Sequence, residues 1–150
     1  MCCDSSTSNA PPAPESSDLI AIIHPHQRQP LLAGRLRLSN RLSSSVTTTE
    51  WQSLHSHLPP CTNPKAALRI QIHRLGSQPL LHSDCISGGE EENINPVMHS
   101  FNLDLSGNLR TEVPGRRFDL GVGGDGVVGR MISVRHEEFG VLGWGVIGRI

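Results

Sequence analysis

The sequence predicts a largely irregular, disordered chain with a small β-rich, meander-like C-terminal half and one short helix near residues 50–58. Large core side chains are scarce, because the 150 residues include 3 Phe, 2 Trp and no Tyr, and aromatic side chains bury the most area per residue. In addition, 10 of the 15 Gly lie between residues 115 and 150, where each loses more backbone entropy on folding than any other residue. We therefore expect a small or loose core built from Leu, Ile and Val.

Composition divides the chain into three regions. Residues 1–17 are rich in Ser and Pro and show no apolar period, so they are predicted to be a disordered head. Residues 18–100 are predicted to be a poorly defined segment with short strands and one short helix. Residues 101–150 are a candidate for a Gly-rich β-meander.

Short strands are predicted before residue 100 where apolar residues form a run or alternate with polar ones. A period of two residues is typical of a strand with one buried face. The positions that carry these patterns are Leu19–Ile23, then Leu36 and Leu38, then Leu68, Ile70 and Ile72.

Beyond residue 100 the alternation continues between turn residues. Residues 101–105 are expected to form a hairpin with the chain from residue 109 onward. Residues 118–122 are expected to be a strand that precedes a turn at Asp125-Gly126, a dipeptide common in hairpin turns. Further strands are predicted over residues 127–134 and 139–141.

The predicted helix carries the candidate partner-binding site. Thr49 and Gln52 have the spacing of a capping box, and Pro59-Pro60 would end the helix. Its apolar stripe consists of Trp51, Leu54 and Leu58. Because two turns are too short to be stable alone, we expect the segment to order against another protein, with Trp51 as its anchor. The alternative is that the stripe packs onto the chain's own strands.

Charge and hydropathy exclude several classes of partner and predict a location. The formal net charge is -1, so we expect no binding to nucleic acid. The Arg residues are scattered, which is typical of solvated surface charges. The longest apolar run, Leu19–Ile23, is too short to span a membrane. No secretory signal is visible, so reduced thiols and an intracellular location, cytoplasmic or nuclear, are expected.

One set of His and Cys residues has a spacing that zinc sites can use. Cys and His are both zinc ligands, and short intervals let one loop supply two of the four tetrahedral positions. The set is His57, Cys61, His82 and Cys85. We treat these residues as a candidate metal site, against the alternative of surface His and incidental Cys.

The spacing Gly-x-Gly-x-x-Gly occurs three times in the C-terminal part of the chain. The motif resembles the phosphate-binding turn of dinucleotide-binding proteins, in which the glycines join a strand to a helix. The copies begin at Gly121, Gly124 and Gly143. The first two lead into residues 130–134 without a helical pattern. We therefore interpret the glycines as turns or bulges of β-structure and expect no cofactor.

No catalytic residue is assigned, because no nucleophile elbow, Walker loop or HExxH motif occurs in the sequence. The leading hypothesis is a small, non-enzymatic intracellular interaction or regulatory protein. It would offer residues 50–58 or an exposed strand edge to a folded partner. Two alternatives stay open: a small zinc-binding module, and a reading frame with no selected biochemical role. The sequence does not determine the oligomeric state.

Overall fold

The computed structural model describes residues 18–26, 33–41, 45–54, 68–76, 95–103 and 110–150. These residues contain eight strands and no helix, and hence no helix able to cross a membrane. The strands are β1 (Asp18–Pro25), β2 (Gly34–Ser39), β3 (Thr48–Ser53), β4 (Leu68–His73), β5 (Val97–Leu103), β6 (Arg110–Glu112), β7 (Met131–His136) and β8 (Gly140–Arg149).

All eight strands belong to one antiparallel sheet, in the order β5-β4-β7-β8-β1-β2-β3-β6. Seven of them have six residues or more, and they curl into a half-barrel. β6, at one edge, has only three residues. The sheet therefore joins strands from both halves of the chain through long-range pairings such as β1 with β8.

The predicted fold, mostly irregular with a helix near residues 50–58, is wrong for the described residues. Residues 48–53 form β3, which pairs with β2 along its whole length. In this strand Thr49 and Trp51 are buried, whereas Glu50 and Gln52 are more exposed. The segment is therefore a strand and not a helix. Pairing with β2 buries one side of it, and burial of one side requires the two-residue period of a strand. Residues 55–58 lie outside the described residues.

The strand predictions have mixed outcomes. Those near Leu19–Ile23, Leu36 and Leu68 are confirmed by β1, β2 and β4. The predicted hairpin after residue 101 is wrong, because β5 pairs with β4 and β6 pairs with β3. The predicted head, residues 1–17, lies outside the described residues.

Aliphatic side chains from most strands line one face of the sheet and form the core. Cross-strand neighbours are both apolar at many positions, as in the pair Ile70 and Val134. The fully buried members of this core with the largest side chains are Leu19, Ile23, Leu36, Leu38, Leu68, Ile70, Ile72, Leu103, Ile132, Ile147, Val113 and Val127. Aliphatic side chains in register across many strands replace the aromatic core that the composition lacks.

A segment after β6 connects the two ends of the curled sheet through Phe118. The Phe118 amide donates to Thr47 Oγ1 at 2.8 Å, and Asn40 Nδ2 donates to the Phe118 carbonyl at 3.0 Å. The Phe118 ring contacts β5 at the opposite edge, with centroids 4.6 Å from His99 and 5.7 Å from Phe101. The segment is thus bonded to the β2–β3 turn and packed against β5.

His99 lies on the inner face of β5 beside this ring. Burial, and after it the positive charge of Arg116, lower the pKa of His99 below its ordinary value, and Asp125 opposes them. The neutral imidazole is therefore favoured in the folded protein.

Asp18 at the start of β1 is a buried carboxylate with three partners. Arg37 Nη2 donates to it at 2.5 Å, Ser39 Oγ at 2.6 Å, and Arg41 Nε lies 3.4 Å away. Burial alone would raise the pKa of Asp18. The hydrogen bonds from Ser39 and Arg37, with the charges of Arg37 and Arg41, outweigh burial and lower that pKa below its ordinary value.

The glycine-rich segment between residues 119 and 130 is a closed loop. Gly123, Gly124 and Gly129 have φ of 77°, 49° and 79°, a region that side chains other than Gly rarely adopt. The guanidinium of Arg130 donates to the carbonyls of Gly124, Gly126 and Arg74, which ties the loop to the residue that follows β4. Two copies of the glycine motif lie in this loop and the third lies within β8, so none joins a strand to a helix.

Candidate anion-binding groove

The candidate site is a groove of about 370 Å³ on the outer face of β4, β5 and β7. Its β4 residues, Arg69 and Gln71, alternate with the buried aliphatic residues of that strand and therefore point away from the core. The complete lining is Arg69, Gln71, Asn102, Arg135, His136, Glu137 and Gly140. The groove is thus mostly polar, and the strand register determines which side chains meet in it.

Two arginines lie side by side in this groove. Arg69 on β4 is the direct cross-strand partner of Arg135 on β7 and, on its other side, of Asn102 on β5. Like charges in directly opposed positions destabilise a sheet. Neither guanidinium forms an ion pair or hydrogen bond with any residue of the described part of the chain. The pair is therefore a concentration of positive charge that no ion pair within the described residues engages.

The β7–β8 hairpin positions one side of the groove. The β7–β8 register shifts opposite the step from Val134 to Arg135, because β8 has one extra residue there, Leu142, and such a bulge bends the hairpin locally. The turn closes at Gly140, whose φ of 70° suits Gly. The Glu138 amide donates to His136 Nδ1 at 3.1 Å, so the proton of a neutral His136 is on Nε2 and is available as a further donor.

Gln71 contributes an unsatisfied polar atom to the groove. Its Oε1 is buried and has no hydrogen-bond partner among the residues that the structure describes. A buried acceptor without a partner costs about 1–3 kcal/mol.

A serine–histidine pair lies beside the groove without opening into it. His73 Nε2 is 2.8 Å from Ser133 Oγ, and His73 Nδ1 is 2.9 Å from the Asn95 carbonyl, which can only accept, so Nδ1 carries the proton. This is the arrangement of a nucleophile and its base. However, His73 and Ser133 are only 7% and 4% exposed, and neither lines the groove. The pair therefore serves to fix the Asn95 segment to the sheet, and the expectation of no enzyme stays a prediction.

The zinc candidates His57, Cys61, His82 and Cys85 lie outside the described residues, so the metal prediction stays a prediction. Within the described residues, no group of three or more His, Cys, Asp or Glu side chains could hold a metal ion.

The partner-binding candidates are not brought together as a helical stripe. Trp51 is 2% exposed in the core, Leu54 is 49% exposed just after β3, and Leu58 lies outside the described residues. The Trp51 ring packs on Gly34, where an added Cβ would be 2.3 Å from Cζ2. These positions favour the alternative in which Trp51 packs onto the chain's own strands. A role of residues 50–58 in binding stays a prediction.

No protein-family model matches the chain, and no curated protein matches it significantly.

Sequence reasoning missed the arginine pair because it treated the Arg residues as scattered surface charges. Arg69 and Arg135 are far apart in the chain, and only the β4–β7 register makes them neighbours. The sequence indicates only the local surroundings of each arginine. Arg69 occupies a polar position in a clear alternating strand pattern, and Arg135 follows the apolar residues of another strand.

Proposed function

We propose that this protein is a non-catalytic interaction protein that binds a carboxylate of a protein partner in the groove between Arg69 and Arg135. The observation that carries the proposal is the direct opposition of these two arginines, neither of which forms an ion pair with an acid of the described residues. A guanidinium donates in a planar fork that matches a carboxylate, and such charge-assisted bonds are stronger than neutral ones. A bound carboxylate would also remove the repulsion between the two guanidinium groups.

Neighbouring charges favour a single carboxylate over a polyanion. Glu137 lies in the groove, and Glu138 is exposed in the same turn. The whole chain carries a formal net charge of -1. A nucleic acid would bring consecutive phosphates towards these acidic residues, whereas one Asp, Glu or C-terminal carboxylate requires only the two arginines.

Two short capped peptides can test this site. One contains a single glutamate between glycines and the other contains glutamine in its place, so the two have similar shapes and differ in charge. We expect the glutamate peptide to shift the side-chain N–H resonances of Arg69 and Arg135 in a saturable way in heteronuclear NMR spectra. The glutamine peptide should not do so.

Variants then assign the binding to the groove. Arg69→Gln and Arg135→Gln should each weaken binding of the glutamate peptide about 10- to 100-fold, corresponding to roughly 1.5–3 kcal/mol for a hydrogen bond to a charged group. Arg35→Gln is the matched control, because Arg35 is exposed on β2, away from the groove. An equal loss with Arg35→Gln, or tighter binding of a short oligonucleotide than of the glutamate peptide, would contradict the proposal.

A further inference from the structure

An exposed aromatic side chain lies at the rim of the groove. Phe139 is the last residue of the turn between β7 and β8, and its side chain is 47% exposed. Its neighbour Gly140 lines the groove, and its ring packs on that of His136, a second lining residue, with centroids 5.0 Å apart. The Phe139 ring is therefore held beside the polar surface that contains Arg69 and Arg135.

The exposure of Phe139 is unusual in a chain with so few aromatic residues for its core. The sequence has 3 Phe and 2 Trp, all among the described residues, and every one except Phe139 is buried or half-buried. The ring is also fixed, because it packs on His136, whose Nδ1 accepts from the Glu138 amide of the same turn at 3.1 Å. A fixed, exposed aromatic ring loses little conformational entropy when a ligand covers it, and it offers a large apolar contact area.

Two acidic side chains in the same turn restrict what can approach the ring. Glu137 and Glu138 are the two residues before Phe139, Glu137 lines the groove, and both are exposed. A second carboxylate of the ligand would meet like charge at this end of the groove. A basic side chain would gain little, because exposed ion pairs contribute little to binding. An apolar side chain can instead bury surface against the Phe139 ring.

We propose that the groove binds an acidic residue whose peptide carries an apolar side chain on the same face, packed on Phe139. This inference rests on the proposed function, in which Arg69 and Arg135 hold the carboxylate. Side chains two positions apart point to the same side of an extended peptide, about 7 Å from each other. An Asp or Glu with an apolar residue two positions before or after it can therefore contact the arginines and the aromatic ring together. Phe139 is then a specificity-determining residue of the site.

Three capped peptides of five residues test this preference. Each has glutamate at its centre and glycine on both sides of it, and the two end residues are both leucine, both glycine or both lysine. Burial of about 40 Å² of apolar surface corresponds to about a fivefold change in affinity. In NMR titrations of the full chain, the leucine peptide should bind about fivefold more tightly than the glycine peptide, and more tightly than the lysine peptide. The leucine methyl protons should show nuclear Overhauser contacts with the Phe139 ring.

Variants separate a contact with the ligand from a structural role of Phe139. Phe139→Ala should remove the preference for the leucine peptide and leave the affinity for the glycine peptide unchanged within about twofold. Phe139→Leu keeps an apolar side chain without the aromatic contact to His136, and it should bind the leucine peptide more tightly than Phe139→Ala does. Leu54→Ala is the matched control, because Leu54 is 49% exposed and does not line the groove. It should keep the full preference.

The outcomes distinguish this inference from the proposed function. Equal binding of the leucine and glycine peptides to the wild-type protein, or tightest binding of the lysine peptide, would overturn the apolar preference and leave the carboxylate site standing. So would an equal loss of both affinities in Phe139→Ala, since the ring would then only support the groove. The Overhauser contacts need no variant, and their absence would overturn the inference even if Phe139→Ala does not fold. A wild-type protein that binds none of the peptides would refute the proposed function and this inference with it.

Discussion

Replacing Trp51 with alanine is expected to destabilise the protein by about 3–5 kcal/mol, the usual cost of truncating a buried Trp. The Trp51 side chain is 2% exposed and lies over Gly34 in the core. A buried aromatic side chain removes up to about 250 Å² from water, which at ~25 cal/mol/Å² sets an upper limit near 6 kcal/mol. At about 2 kcal/mol per molar urea, the midpoint of unfolding should fall by roughly 2 M.

Gly34 allows a more specific test of this packing. An added Cβ at Gly34 would lie 2.3 Å, 2.5 Å and 2.9 Å from three atoms of the Trp51 ring. Gly34→Ala alone should therefore cost about 1–3 kcal/mol by overpacking. In the Trp51→Ala background the same substitution has space and should be neutral or slightly stabilising. The two substitutions should thus be strongly non-additive in a double-mutant cycle.

Circular dichroism during urea unfolding measures all four variants of the cycle. Leu54→Ala is the control, since Leu54 belongs to the same predicted stripe but is 49% exposed, and it should change stability by less than about 0.5 kcal/mol. A Trp51→Ala variant as stable as the Leu54→Ala variant would refute the packing of Trp51. Additive costs for Gly34 and Trp51 would refute their contact.

Two pH effects follow from the shifted pKa values of Asp18 and His99. The pKa of Asp18 is lower in the folded protein than in the unfolded chain, where it is about 4. The contribution of Asp18 to folding stability is therefore complete above the unfolded-state pKa and is lost as the pH falls through the folded-state pKa. Asp18→Asn should therefore lower the urea midpoint of unfolding at neutral pH, and this midpoint should then decrease less steeply with falling pH than it does in the wild type. An equally steep decrease in the variant would argue against this linkage. The pKa of His99 is lowered, so its protonation favours unfolding below about pH 6.5. Arg116→Gln should raise the pKa of His99 in an NMR titration. The adjacent control, Arg117→Gln, should leave this pKa nearly unchanged. Equal pKa shifts in the two variants would contradict the assignment of the effect to Arg116.

The strands that the sequence predicted well are those with a strong local pattern. In β4, the repeat of Leu68, Ile70 and Ile72 with polar residues between them fits only a strand with one buried face. β3 was mistaken for a helix because Trp51 and Leu54 also fit a helical spacing in so short a segment. Pairing with β2 decides between the two periods, and that pairing is not visible in the local sequence.

The candidate groove shows the same dependence on long-range structure. The sequence indicates that Arg69 points away from the core, because its neighbours are buried aliphatic residues. It does not indicate that Arg135 is the residue beside it. The regular β4–β7 register brings the two arginines to one surface of the sheet.

The sequence by itself determined the local alternation in β1, β2 and β4, the aliphatic character of the core and the positions where Gly permits a turn. These properties depend on neighbouring residues, whose side-chain period and backbone freedom can be read along the chain. Only the tertiary structure decided the strand order, the burial of Trp51 and the opposition of Arg69 and Arg135. The physical reason is that each depends on hydrogen-bond register between distant segments, and a register is selected by the burial of the whole sheet rather than by any one strand.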